Sequence, residues 1–95
     1  MSKSKLDKAV ADRADELDPA QRELVMSQFS EYKRNKTRIY DINEKLKVVD
    51  STQTVTLEEV RLKQAERSAL TYELNQLSVA NSRISSDLFQ QLGKE

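Results

Sequence analysis

Glycine and proline each occur once in this chain, as Gly93 and Pro19, so nothing between them strongly interrupts a helix. Asp18-Pro19-Ala20-Gln21 has the form of a helix start. Asp18 can accept from free N–H groups, Pro19 at the first helical position forfeits no hydrogen bond, and Gln21 stands three residues after the cap. From there Val25, Phe29, Tyr32, Ile39 and Leu46 follow 4-3-7-7 steps, a heptad seam with Lys36 and Asn43 in two of its slots. Glu31 with Arg34, Asp41 with Lys45 and Glu44 with Lys47 are opposite charges at helical spacing. The first long helix is therefore expected over residues 19–49.

The seam stops at Asp50-Ser51-Thr52-Gln53-Thr54, where hydroxyl and β-branched residues suit a connection better than a helix interior. A second start follows directly. Thr56 and Glu59 have capping-box spacing, and Val55 and Val60 are placed to clasp across the cap as a hydrophobic staple. Glu59 and Lys63 add another pair at helical spacing. The second seam runs Val60, Leu70, Leu74, Leu77, Ile84, Leu88, with Lys63, Arg67 and Asn81 in the remaining slots. Gly93 follows as a C-terminal cap. The expected loop spans 50–55 and the second helix 56–92.

Two long helices joined by a short loop predict an all-α, coiled-coil-like antiparallel hairpin over residues 19–95. Folding about residue 53 pairs Leu46 with Val60, Ile39 with Arg67, Tyr32 with Leu74 and Phe29 with Leu77. Lys36 and Arg67 would lay their stems along the seam and send their charges outward. Residues 1–18 form an N-terminal arm with a short helix, because Leu6, Val10, Ala14 and Leu17 recur at helical spacing. That helix either folds back on Ile84, Leu88 and Leu92 or continues the first long helix past a kink at Pro19.

Composition narrows function by exclusion. With no Cys and no His there is no disulfide framework, thiolate nucleophile, imidazole proton shuttle or ordinary zinc or haem site. One glycine is too few for a phosphate-cradling loop. Carboxylates adjoin at Glu58-Glu59 and at Asp12 and Glu16, but a thin hairpin offers no desolvated pocket to separate their pKa values, and calcium-loop spacing is absent. Neither catalysis nor a cofactor is expected. No apolar run approaches the roughly 18–20 residues of a membrane span, and no apolar segment follows Met1-Ser2-Lys3-Ser4-Lys5, so a cytoplasmic location is the expectation.

What remains is association. Leu62, Ala65, Ala69, Tyr72 and Val79 form a second stripe on the far side of the second helix, which a two-helix hairpin leaves uncovered. A chain this short also buries a small core. The expected role is a non-enzymatic protein–protein interaction module, homo-oligomeric or a small subunit of a larger assembly. Leu62, Ala69, Tyr72 and Val79 are the candidate interface, with Leu6, Val10 and Leu17 as a second surface. Asn43 and Asn81, in seam positions, are candidates for fixing register or partner number. Two alternatives stand beside this reading. Residues 31–47 carry six Lys and Arg against Glu31, Asp41 and Glu44, interleaved with Tyr32 and Tyr40, so Lys33, Arg34 and Arg38 are candidate nucleic-acid contacts. A chaperone or inhibitor that captures a partner helix would use the same physics as the first reading.

Overall fold

The computed structural model describes residues 5–93 of the 95-residue chain; positions 1–4 of the expected arm and 94–95 of the expected hairpin lie outside them. Three α-helices follow in order: α1 (Lys5–Arg13), α2 (Pro19–Ser51) and α3 (Leu57–Leu92). A 3-10 turn at Ala14–Glu16 links the first two, and the described residues contain no strand. The fold is all-α, a long antiparallel hairpin with a short N-terminal helix. It measures 60 × 25 × 19 Å with a radius of gyration of 18.1 Å, against about 12 Å for a compact chain of this length. No helix among the described residues is long and apolar enough to cross a membrane.

Local chemistry sets each boundary. The Asp18 side chain accepts from the Gln21 N–H at 2.8 Å, with Pro19 at the first helical position. Thr56 accepts from the Glu59 N–H at 3.1 Å while the Glu59 carboxylate takes the N–H groups of Thr56 and Val55, which completes the capping box. Those two donors hold the Glu59 pKa below the ordinary carboxylate value. The staple does not form. Val55 is 90% exposed and so cannot clasp Val60. Nor does Lys63 pair with Glu59: its ammonium donates to the carbonyls of Thr52 at 2.9 Å and Asp50 at 3.4 Å, groups that the end of α2 leaves open. Gly93 closes α3 at φ 75°, in the left-handed region that glycine enters without a Cβ clash.

The hairpin seam is Val25, Tyr32, Ile39 and Leu46 together with Asn35, Ile42 and Val49, with Val25 and Ile42 fully buried. The expected slots at Lys36 and Asn43 are exposed instead. Phe29 explains the difference. It is apolar and half-buried because it packs into the cluster around Leu6, Val10, Ala14, Val25, Leu88 and Leu92, where α1 lies. It does not mark the phase of the α2–α3 seam. Lys36 places its ammonium 5.6 Å from the Tyr32 ring centroid, and Lys33 lies 5.3 Å from that of Phe29.

The pairing of the arms also differs from a fold about residue 53. Asn81 donates to the Tyr32 carbonyl and accepts from Asn35, Glu73 meets Arg38, and Gln91 meets Gln28. Tyr32 is therefore level with Asn81 and not with Leu74, one heptad further along α3. The connection of residues 52–56 leaves α2 extended and carries the start of α3 beyond it, so Lys63 and Arg67 face Asp50. Two apolar clusters result. One sits at the open end, where α1 closes over α2 and α3; the other joins Ile42, Val49 and Leu70 to Leu46, Leu74 and Leu77 toward the loop.

Candidate interaction surface

On α3 the heptad runs on both sides. Leu70, Leu74, Leu77, Asn81, Ile84 and Leu88 point inward, while Leu62, Ala65, Ala69, Tyr72 and Val79 step 3-4-3-7 along the opposite side and are exposed. Tyr72 is 68% exposed, Leu62 65% and Val79 54%. Here α1 matters by where it is not. It docks on the open end, against Leu88 and Leu92, and leaves the outer stripe of α3 uncovered. Because α3 overhangs α2, Leu57 is also exposed beside Leu62, and Leu57, Arg61, Leu62 and Ala65 line one shallow groove.

The second expected surface is absent in this conformation. Leu6 and Val10 are 3% and 4% exposed inside the chain's own core, and Leu17 packs half-buried against the same cluster. The arm folds back on Ile84, Leu88 and Leu92 because three helices at that end bury Val25 and Leu88 completely. Arg22, which spacing alone did not single out, fixes the corner. Its guanidinium donates to the carbonyls of Ala14 at 3.2 Å, Asp15 at 3.2 Å and Leu17 at 3.3 Å, and Arg13 donates to the Leu92 carbonyl at 3.3 Å. These arginines bind carbonyls at the turn and at the end of α3; the Ala14 carbonyl also accepts from the Leu17 N–H at 3.2 Å.

The basic stretch is divided by its partners. Arg38 makes a two-pronged pair with Glu73, both bonds 2.8 Å, which holds the Glu73 carboxyl below its usual range and raises Arg38 further. Lys47 pairs with Glu44 at 3.0 Å, and Lys33 lies over Phe29. Arg34 is exposed, with no ion pair to the described residues. The three cations proposed for nucleic acid are thus not gathered into one free surface.

Asn81 is the buried polar residue of the seam at 7% exposure, and Asn35 is its partner at 2.9 Å. Asn43, the other asparagine expected there, is exposed. The Ser82, Ser85 and Ser86 run lines a shallow notch beside Tyr32 and Asn81. Groups of three or more acidic side chains placed to hold a metal ion are absent among the described residues. No protein-family model, no curated protein and no solved structure matches the chain.

Proposed function

We propose that this chain is a non-enzymatic helical interaction module that packs the outer stripe of α3 against another helix, in self-association or as a small subunit of a larger assembly. The observation that carries the reading is one α3 helix with two heptad-spaced apolar sides, of which the hairpin and α1 cover one. Shape supports it. The chain exposes 7026 Å², whereas a compact protein of 10.9 kDa exposes about 5,600 Å². Burying Leu62, Tyr72 and Val79 against a second helix removes apolar area from water at about 25 cal/mol per Å². The nucleic-acid reading draws less support, because Arg38 is already neutralised by Glu73.

Solution mass at two concentrations tests this, by light scattering or sedimentation. The wild type is expected as an oligomer, and Leu62→Glu with Tyr72→Glu as a monomer of unchanged helicity, since both positions are exposed within the chain. An oligomer whose mass ignores both substitutions would remove the stripe from the reading.

A further inference from the structure

Resting on that reading, we infer that the α3 stripe takes the same stripe of a second copy of this chain, run antiparallel about a two-fold axis level with Leu70 and Thr71. The charges that end the stripe carry the inference. Extended by one step in each direction, the lane of Leu62, Ala65, Ala69, Tyr72, Gln76 and Val79 begins at Glu58 and ends at Arg83. Both are exposed, and neither has an ion-pair partner among the described residues. An antiparallel second copy sets Glu58 on Arg83 at both ends. A parallel one faces Glu58 with Glu58 and Arg83 with Arg83, two like-charge contacts within the lane.

Side-chain size agrees with the same register. Antiparallel, Ala69 lies opposite Tyr72, Ala65 opposite Gln76, and Leu62 opposite Val79, so each small residue receives a large one. A parallel pairing stacks Ala on Ala and Tyr72 on Tyr72, leaving gaps in two layers. The flanking Arg61 and Glu66 alone favour the parallel form, as a pair at the exposed rim. The antiparallel form has its own unfavourable contact, repeated twice by the two-fold axis: Glu66 faces Glu73 of the other copy. There the guanidinium of Arg38, already bonded to Glu73, supplies the opposing charge. An unrelated partner helix has no reason to match this lane end for end, whereas a second copy does so by symmetry.

The chain has no cysteine, which makes cross-linking unambiguous. Leu62→Cys and Val79→Cys are prepared separately in the full chain and oxidised mildly, alone and mixed. The expected result is a disulfide-linked dimer on mixing and little from either variant alone. Self-linking of each variant alone would overturn the antiparallel pairing while leaving the stripe as the interface. In parallel, Glu58→Arg and Arg83→Glu should each weaken the dimer about 10-fold at low salt, and the double exchange should bring it back to within about 3-fold of wild type. Equal weakening in the double exchange would overturn the end-to-end charge match. Monomer mass for the wild type at hundreds of micromolar would overturn self-association itself, and the proposed role would then rest on a different partner helix.

Discussion

At the scale of single residues, the Asn35–Asn81 pair decides which layers of the two long helices meet. A buried amide is unfavourable unless its donors and acceptor are used. Asn81 uses both ends, accepting from Asn35 and donating to the Tyr32 carbonyl at 3.1 Å. Advancing α3 a further heptad toward the loop would place Asn81 against Ile42 and strand it, and moving it back one would exchange Asn35 for Gln28 as its neighbour. Asn81→Leu alone should therefore lower stability by about 1–2 kcal/mol, because it leaves the Asn35 amide half-buried without its partner. Asn35→Leu with Asn81→Leu should recover that loss. Urea unfolding of the two single variants and the double measures the coupling, and additive losses would count against a shared polar layer. Asn81 was legible in the heptad. Asn35 was not, because Phe29 suggested the wrong phase, and only the position of α1 shows why Phe29 is apolar.

Elements are held at their ends. Arg22 binds three carbonyls of the turn between α1 and α2. Arg22→Ala should cost about 1–2 kcal/mol and speed amide exchange through α1, and Arg22→Lys should not restore protection, since an ammonium lacks the planar fork. Equal exchange rates in Arg22→Lys and wild type would count against this account. Three carboxylates, two at the loop end and Glu73 midway along α3, give a pH dependence. Glu59 is lowered by backbone donors, Asp50 by its bond to Arg67, and Glu73 by its bond to Arg38. Each binds a proton less readily folded than unfolded. Their contribution is therefore complete above the ordinary carboxylate values, near pH 4, and is lost as pH falls through the lower folded values. The urea midpoint should be flat from about pH 7 to 5 and decline below about pH 4.5, and decline less in Glu59→Gln. The capping box was readable from Thr56 and Glu59. The failed staple and the diverted Lys63 were not: spacing does not report that Val55 is exposed, and the Lys63 contacts depend on where the carbonyls of Asp50 and Thr52 finish.

Taken whole, the molecule is a rod with two separate cores. Leu6 and Val10 close the open-end cluster, while Ile42, Val49 and Leu70 form the other cluster nearer the loop. Leu6→Ala with Val10→Ala should release α1, since each truncation of a buried aliphatic residue typically costs about 1–5 kcal/mol. Hydrogen exchange should then rise across residues 5–16 and around Val25 and Leu88, with Ile42 and Leu70 unaffected. Uniform loss of protection along both long helices would show that the two clusters act as one.

The sequence by itself determined that the chain is helical, where its long helices begin, and that α3 has more apolar lanes than one neighbour can cover. Those properties are local: they follow from caps, from the absence of breakers and from heptad spacing, each decided within a turn or two of the residue concerned. Tertiary structure alone decided the seam phase of α2, the one-heptad advance of α3 and the use of Leu6 and Val10 as core. Each of these depends on where a third helix and an extended connection lie in space. A seven-residue repeat fits its neighbour almost equally well after a slip of seven, so spacing cannot choose among registers that Asn35 and Asn81 choose between by contact.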